Sequence, residues 1–450
     1  MNPEFERNLW LEASPGRIAW AGVALAVIYA ITALASARGL GVMAGALSAV
    51  GAAVFVACGL IWGARAAGGS VLDEIADRTW DFQRLSALEP WAMTWGKLFG
   101  AASLAWLCGL SGLVVMAAGM LWLGARDAIT TPLFMAALAV LVQAVCMGAA
   151  LIGVRKARAE GRAAQSRGVA GGLVIGAVLL FVVATSDGFR HGAPVRDITQ
   201  LFTAKAPVAW WSLTFPAGSF RLAAAAAFAG WALAGAWRLM RLELQMRSAP
   251  VVWPVFLVFL AVFVGGLAYP AAGLAAALLS GALINVVCAY AAAFAEPADR
   301  VRLRLFGAAI GHDLDRAVRL APAAIAPVVL AIVLAVAALG VAPMERGEAG
   351  QAWQVAALIA FLVRDLGVIA FHRFGPRPQR GDFGAVLTLA LLYLAGSILG
   401  SMFGHGGAAL FAPVTGPAGL GLASGAVQAV IAWRFAVKRF KAPETSAVSQ

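Results

Sequence analysis

The sequence predicts an all-α, polytopic membrane protein with about twelve transmembrane helices. Hydrophobic residues make up 62% of the chain and charged residues only 12%, and the mean hydropathy is +0.85. Apolar runs of about 20 residues recur along the chain, and each can cross a hydrocarbon core about 30 Å thick as a helix. Lys and Arg are concentrated in alternate loops between these runs, as is typical of multi-pass proteins.

The apolar runs form two sets of six, which predict a first half at residues 1–247 and a second half at 248–450. The spans predicted in the first half are 18–36, 41–63, 99–123, 132–154, 169–185 and 218–237. Those predicted in the second half are 251–269, 272–295, 320–341, 352–371, 383–403 and 417–436. The run at 352–371 is the least certain span because Arg364 and Asp365 interrupt it.

The distribution of basic residues predicts the orientation. If the N-terminus lies inside, 27 of the 34 Lys and Arg residues fall in inner loops or inner span ends. The positive-inside rule then places both termini in the cytoplasm, together with the loops at 64–98, 155–168, 296–319 and 372–382. Contact of these residues with anionic lipid headgroups explains the net charge of +12 without a nucleic-acid partner.

The two predicted halves share one plan. Each has a hairpin of two spans, a long charged loop, two further spans, a basic loop, a fifth span, a Gly- and Pro-rich outer loop and a sixth span. The charged loops open with Glu-Ile-Ala-Asp-Arg from Glu74 and Glu-Pro-Ala-Asp-Arg from Glu296, an offset of 222 residues at which Lys97 matches Arg319. Six-plus-six repeats are common in transporters, where the substrate path lies between the halves.

The charged stretch from Glu74 to Leu98 is the most distinctive segment. Charges at the centre of a bilayer are costly, so this stretch is predicted at or beyond the membrane surface. Pro90 lacks a backbone donor and disfavours helix at Glu89, which predicts two short helices joined by a bend. Such a hook suits a cleft on a partner protein, and an interfacial helix without a partner is the alternative. Its apolar stripe comprises Phe82, Leu85 and Leu88, and its polar contacts are Asp77, Asp81, Arg84 and Glu89.

This stretch resembles the cytoplasmic loop of ABC type-2 exporter permeases. The residues that carry the resemblance are Glu74, Thr79, Asp81, Leu88, Pro90, Trp91, Gly96, Lys97 and Leu98. The chain departs from the family at Arg78, where Gly is usual, and at Ala87, where Pro is frequent. The resemblance implies a permease in a bacterial cytoplasmic (inner) membrane whose loop is a coupling helix docked on a separate ATP-binding cassette ATPase subunit.

The resemblance also implies particular site residues. The second loop keeps the acidic start but lacks the Thr and the Gly-Lys, so its coupling contact is expected to be weaker. Short re-entrant helices between the fifth and sixth spans are implied as well, in the outer loop 186–217 with its Trp210-Trp211 pair and near 405–417; an ordinary aromatic belt is the alternative. The predicted coupling residues are Glu74, Arg78, Thr79, Asp81, Arg84, Leu88, Pro90, Lys97, Glu296, Arg300, Arg304 and Asp313.

Four polar residues are predicted inside the membrane, namely Gln143, Asn285, Arg364 and Asp365. Ionisable residues in a span are functional candidates by default, although Arg364 and Asp365 lie near the inner end of their span, where snorkelling to the headgroups is the alternative. Asn285 is predicted to link helices. The scarcity of buried charge favours an apolar or amphipathic exported substrate, whose identity the sequence does not indicate.

The chain shows no signature of an enzyme or of a cofactor site. It has no GxxxxGK[ST] motif to cradle phosphates, so ATP hydrolysis is expected on a partner chain. The four cysteines lie singly in apolar runs without metal-ligand spacing. No catalytic residue, metal or cofactor is therefore predicted. An ion-coupled twelve-span secondary transporter is the main alternative function, and a membrane scaffold is a third.

The orientation is testable by cysteine accessibility. In a variant without the four native cysteines, a cysteine introduced at Arg162 should react with a membrane-impermeant maleimide only after the membrane is permeabilised. Labelling of that cysteine in intact cells would contradict the twelve-span arrangement.

Overall fold

The computed structural model describes residues 2–77, 79–80, 89–159, 207–246, 250–344, 349–375, 380–402, 406–413 and 416–441. These residues are almost entirely helical, and nine of their helices are long and apolar enough to cross a membrane. The predicted all-α, polytopic membrane class is confirmed. The predicted span at 169–185 lies outside the described residues.

The first half contains one helix ahead of its spans and a broken loop between the second and third spans. Helix α1 covers Pro3–Glu12, and the first span is α2 (Pro15–Ala35). The second span is α3 (Leu40–Phe55), a π-helical segment (Val56–Trp62) and α4 (Gly63–Ala76). After the loop come α5 (Pro90–Trp95), a π-helical segment (Gly96–Gly100), α6 (Ser103–Trp122), α7 (Thr130–Ala159) and α8 (Ala217–Glu243).

The second half follows the same order. Its first helix, α9 (Val252–Ala295), precedes two short loop helices, α10 (Arg300–Ala309) and α11 (Leu314–Leu320). The remaining helices are α12 (Ile325–Val341), α13 (Ala349–Arg373), α14 (Gly381–Ser401) and α15 (Ala418–Lys441), with short 3-10 turns at Ala342–Met344 and Gly407–Leu410.

Helix α9 is a hairpin of two antiparallel spans. Its 44 residues would extend about 66 Å as a straight helix, roughly twice the thickness of the hydrocarbon core. Gly273 breaks the helix with φ 80° and ψ −168°. A Cβ built on Gly265 would lie 2.9 Å from the Ala277 carbonyl oxygen, and one on Gly281 would lie 3.3 Å from the Ala261 Cβ. These pairs are symmetric about the break, so the chain returns along itself, as predicted.

The span predicted at 320–341 begins later than expected. Helix α11 ends at Leu320, Ala321 is extended, and α12 begins only at Ile325 after a bend of 104°. The cause is Pro322, which disfavours helix in the residue before it. With α9 counted as two spans and the bent α11–α12 pair as one, the described part of the chain contains eleven segments that are long and apolar enough to cross a membrane.

The segments between the fifth and sixth spans differ between the halves. The described part of the first, residues 207–216, is not the expected helix but a β-hairpin of β1 (Val208–Trp210) and β2 (Leu213–Phe215). Its turn requires a left-handed Trp211 at φ 54°, and β-branched and aromatic residues favour strand on either side. In the second half the chain does fold back, because a Cβ on Gly400 would lie 2.5 Å from the Gly407 carbonyl oxygen and one on Gly396 against the Phe411 ring.

Small residues set the spacing between spans of the first half. A Cβ on Gly112 in α6 would lie 2.5 Å from the Gly51 carbonyl oxygen in α3, and one on Gly119 would lie 2.5 Å from that of Ala44. Lipid tails are as apolar as leucine, so helices in a bilayer associate through such close backbone packing rather than through the hydrophobic effect.

Substitution of Gly112 tests this packing. Gly112→Ala places a methyl group inside the contact with α3 and should destabilise the protein by about 1–3 kcal/mol, the usual cost of overpacking. The matched control is Gly22→Ala in α2, where no atom lies within 4 Å of the new methyl group. Thermal unfolding in detergent should show a lower midpoint for Gly112→Ala only; equal midpoints would mean that α3 and α6 are not in close contact.

Candidate functional site

The two long charged loops lie on one side of the helix bundle. Trp80 of the first loop and Arg158 of α7 meet at Glu243, while nearby Lys156 donates to the Phe294 carbonyl oxygen, next to the start of the second loop. We call this side the basic face after the Lys and Arg side chains that lie there. The first loop joins α4 to α6 and the second joins α9 to α12. Of the coupling residues predicted in the first loop, Arg78, Asp81, Arg84 and Leu88 lie outside the described residues. Glu74, Thr79, Pro90 and Lys97 are described.

Lys97 lies at the centre of a buried ion-pair network. Its side chain is 0% exposed, its Nζ lies 3.0 Å from Glu4 Oε1, and it also pairs with Glu74 Oε2. Arg7 pairs with the same two carboxylates, at 3.0 Å from Glu4 Oε1. The Lys97 ammonium lies 5.2 Å from the centre of the Trp80 ring. We call Glu4, Arg7, Glu74 and Lys97 the Lys97 network; it joins α1, the end of α4 and the start of the third span.

Glycines beside Lys97 allow α1 to approach the third span. A Cβ on Gly96 would lie 2.7 Å from the Glu4 Cβ, and one on Gly100 would lie 2.8 Å from the Asn8 Cβ. Asn2 Nδ2 also donates to the Ala92 carbonyl oxygen at 2.6 Å. The Gly-Lys pair that carries the resemblance therefore has a structural role of its own: the glycine makes room for α1 and the lysine neutralises its acid.

The role of α1 was not predicted from the sequence. Its polar residues Glu4 and Asn8 are 4% and 8% exposed, whereas Trp10 and Leu11 are 71% and 63% exposed. The helix thus turns Glu4 and Asn8 toward the protein, while Trp10 and Leu11 face outward together with the charged Glu6 and Arg7. The signal available in the sequence was the spacing of Glu4 and Asn8, which places them on one face of a helix.

Trp80 anchors the start of the first loop to two further spans. It is 2% exposed, and its Nε1 donates to Glu243 Oε1 at 3.2 Å. Arg158, at the end of α7, lies 2.7 Å from the same carboxylate. Sequence reasoning missed this contact, although Glu243 is the single acid among the basic residues at the end of α8. The loop is consequently attached to the fourth and sixth spans as well as to the second and third.

The remaining predicted residues of the first loop shape its backbone. Thr79 caps the end of α4, since its N–H donates to the Glu74 carbonyl oxygen at 2.9 Å and its hydroxyl donates to the same oxygen at 3.2 Å. The bend predicted at Pro90 is present, because Glu89 is extended (φ −66°, ψ 142°) and α5 begins at Pro90.

In the second loop, Glu296 takes the place of Glu74 but uses other partners. It pairs with Arg302 and accepts a hydrogen bond from the Ala323 N–H at 2.6 Å. Arg302 in turn donates to the carbonyl oxygens of Leu320 and Ala321, at 3.1 and 2.8 Å. Arg319, which aligns with Lys97 at the offset of 222 residues, pairs with the exposed Asp315 and takes no part in the Glu296 pair.

The other coupling residues predicted in the second loop make contacts within the chain. Arg300 donates to the Phe374 carbonyl oxygen at 2.8 Å. Arg304 lies 5.8 Å from the centre of the Phe440 ring, and Asp313 caps α11 by accepting from the Arg316 N–H at 2.9 Å. The second loop exposes five large apolar side chains, with exposed fractions of 40–80% for Val301, Leu305, Ile310, Leu314 and Val318. Charged side chains are exposed among them, including those of Asp313, Asp315, Arg316 and Arg319.

Gln143 is buried in the first half and connects three spans. Its Oε1 accepts from Trp106 Nε1 at 2.9 Å, and its Nε2 donates to the Gly59 carbonyl oxygen at 2.8 Å. Gly59 lies in the π-helical segment Val56–Trp62, where the regular backbone hydrogen bonding of an α-helix is interrupted. Gln143 therefore supplies a donor to this irregular backbone.

Arg364 and Asp365 are buried in the second half and do not snorkel. They are 2% and 0% exposed. Asp365 accepts hydrogen bonds from the hydroxyls of Tyr290 and Tyr393, at 2.6 and 2.7 Å, and from Arg364 Nε at 2.7 Å. Arg364 Nη1 donates to Gln428 Oε1 at 2.9 Å. We call these five residues the Asp365 network; it joins α9, α13, α14 and α15.

The Asp365 network also reaches the segment that folds back between α14 and α15. Gln428 Nε2 and Ser424 Oγ donate to the Leu410 carbonyl oxygen at 2.6 and 2.7 Å. Irregular backbone at membrane depth persists only where the protein itself supplies hydrogen-bond partners. Gln428 and Ser424 thus hold the segment around Leu410 in place, and Gln428 links it to Arg364.

The intramembrane polar residues occupy related positions in the two halves. At the offset of 222 residues, Gln143 corresponds to Asp365 and Gly59 corresponds to Gly281. Gly59 receives its hydrogen bond from Gln143, whereas Gly281 receives one from Asn285 Nδ2 at 2.8 Å. Asn285 therefore bonds to its own helix, and among the described residues it does not form the predicted link between helices.

The halves contact each other on both sides of the bundle. On the basic face, Lys156 pairs with Asp382 and donates to the Phe294 carbonyl oxygen at 2.8 Å. On the opposite face, the Trp211 N–H donates to the Gly266 carbonyl oxygen at 2.7 Å, and Trp210 Nε1 donates to that of Phe263 at 3.1 Å.

The Lys97 network yields a stability prediction. Lys97→Met removes a fully buried cation from between the Glu4 and Glu74 carboxylates, and breaking a buried pair in this way typically costs about 3–5 kcal/mol. The thermal midpoint in detergent should therefore fall. Arg316→Met, which removes an exposed cation from the same face, is the matched control. An unchanged midpoint for Lys97→Met would show that α1 is not held by this lysine.

No protein-family model matches the chain. No curated protein and no solved structure matches it either.

Proposed function

We propose that this chain is the permease subunit of an ATP-driven ABC-type exporter and couples to a separate ATP-binding subunit on the basic face. The observation that carries the proposal is the attachment of the first loop to the adjoining helices. The buried Lys97, at the end of the loop, pairs with Glu74 at its start, and Glu4 of α1 binds the same lysine. A loop attached in this way moves together with the spans that it connects.

Mechanical coupling needs a rigid connection from the docking surface to the spans. Trp80 and Glu243 extend the connection from the second and third spans to the fourth and sixth. Displacement of the first loop by a partner would therefore displace four of the spans of the first half. The Lys156–Asp382 contact lies at the end of the fourth span and must rearrange if a path opens toward the cytoplasm.

The second loop is proposed to dock through an apolar surface. Three of its arginines, Arg300, Arg302 and Arg304, make contacts within the chain that stabilise the loop. Leu314 and Val301, which are 80% and 64% exposed, are the most exposed of its large apolar side chains. They are the proposed contacts, and the exposed charges of Asp313, Asp315 and Arg316 lie beside them. This difference favours the asymmetry that the sequence predicted, with the first loop as the stronger coupling element.

Site-specific photocrosslinking in the native membrane tests the partner. A crosslinking residue replaces Arg84 in the first loop or Leu314 in the second, and the control replaces Leu213 on the opposite face, which is 57% exposed. We expect one adduct from the first two positions, containing a protein with a GxxxxGK[ST] motif, and none from the third. Failure to obtain this adduct from position 84, or an adduct whose protein has no such motif, contradicts the proposal.

Charge reversal tests the asymmetry. The ATPase identified by crosslinking is purified, and its activity is measured with and without the full-length permease. Asp81→Arg should reduce the stimulation of ATP hydrolysis about tenfold, which corresponds to a loss of roughly 1.4 kcal/mol of contact energy. Val301→Arg in the second loop should have a smaller effect, because that contact relies on scattered apolar side chains. Equal losses would show that both loops couple alike.

An ion-coupled carrier is the second candidate, and the Asp365 network is the observation that favours it, since buried carboxylates mark ion paths in many carriers. Within the network Asp365 is already bonded by Arg364 and two tyrosines, which fits a structural role. The two functions are distinguished by measuring export from cells in which a protonophore has dissipated the proton gradient while the ATP level is maintained. Export should continue; its arrest would favour the carrier.

A further inference from the structure

The basic-face end of α15 carries an open groove that the proposed function does not use. The groove has a volume of about 590 Å³. It is lined by Val430, Trp433, Arg434, Val437, Lys438 and Lys441. These positions recur at intervals of three and four residues, so they share one face of the helix.

This face points away from the protein. The buried residues of α15 are small and lie on the opposite side of the helix, where Gly425 and Ala429 pack inward. Val430 and Val437 are 60% and 44% exposed. In a membrane-spanning helix, such exposed aliphatic side chains face lipid chains.

One wall of the groove is held in place by the protein. Trp433 Nε1 donates to the Val363 carbonyl oxygen in α13 at 2.9 Å. A Cβ on Gly367 would lie 3.2 Å from the Trp433 ring, so the indole is seated closely against α13. The aromatic side of the groove is therefore a tryptophan that is hydrogen-bonded to the neighbouring helix.

The charges at the groove have no counter-ion in the described part of the chain. Arg434, Lys438 and Lys441 make no ion pair there, in contrast to Lys97, Lys156 and Arg302 on the same face. Arg439 differs, because it turns to the other side of the helix and lies 4.1 Å from the centre of the Phe371 ring. The three groove cations extend over about 10 Å of helix at its basic-face end, the depth of a headgroup layer.

We propose that this groove is a binding site for one anionic phospholipid of the leaflet on the basic face. The phosphate and the second headgroup charge contact Arg434, Lys438 and Lys441. An acyl chain lies along Val430 and Val437 beside the Trp433 ring. Charge complementarity selects the anionic headgroup, and the apolar wall selects a lipid over a free anion.

The test measures lipid retained by the full-length protein. The protein is purified in a neutral detergent, stripped of lipid, incubated with phosphatidylglycerol and examined by native mass spectrometry. The groove variant is R434Q/K438Q/K441Q. The matched control is R65Q/R316Q/R319Q, which removes three exposed charges from the same face outside the groove. Both variants are first checked for an unchanged thermal midpoint, so that loss of lipid does not report unfolding.

The wild-type protein and the control should each retain one phosphatidylglycerol at low lipid concentration. The groove variant should bind it more weakly by about fivefold for each charge removed. Phosphatidylcholine should not replace the anionic lipid, and excess inorganic phosphate should not displace it. Equal loss in both variants would show a diffuse attraction of the whole basic face and overturn the proposal. Retention by the groove variant, or displacement by phosphate, would overturn it as well.

Discussion

The structure depends on one constraint, namely that a hydrocarbon core offers no hydrogen-bond partners. Every buried polar group must be satisfied by the protein itself, and the helical backbone does this for most of the chain. Departures from regular helix occur where a side chain supplies the missing contact. Gln143 bonds to the π-helical carbonyl of Gly59, and Gln428 bonds to the carbonyl of Leu410. Gln143 and Gln428 are therefore placed where the backbone is irregular, whereas Asn285 bonds to a regular part of its own helix.

Close packing of glycine and alanine has a consequence for the charged groups. Helices that approach through Gly51 and Gly112, or through Gly265 and Ala277, leave little space for solvent between them. The ion pairs that join different helices or loops are accordingly found at the ends of the spans on the basic face. They include the pairs made by Lys97, Arg302 and Lys156. The exception is the Asp365 network, in which charge is balanced by a neighbouring arginine, two tyrosines and a glutamine.

The basic face combines three kinds of surface. The first loop is joined to its spans by buried ion pairs, the second loop exposes apolar side chains, and the end of α15 exposes cations beside an apolar groove. The second loop and α15 touch each other, because Arg304 lies over the Phe440 ring. A lipid in the α15 groove would thus sit next to the loop proposed to meet the ATPase, although each proposal rests on its own contacts.

The sequence by itself determined the class of the protein, the position of most spans, the turn between the arms of α9 and the bend at Pro90. These features follow from local properties, since the length of an apolar run and the backbone preference of proline or glycine need no distant partner.

Tertiary structure alone decided which side chains become partners. Lys97 meets Glu4, which is 93 residues away, Trp80 meets Glu243, and Glu296 selects Arg302 instead of a residue near Arg319. Such choices depend on how the spans are arranged around one another, and hydropathy carries no information about that arrangement. For the same reason, the Gly96-Lys97 pair could be recognised in the sequence as part of a motif, but its contact with α1 could not be predicted.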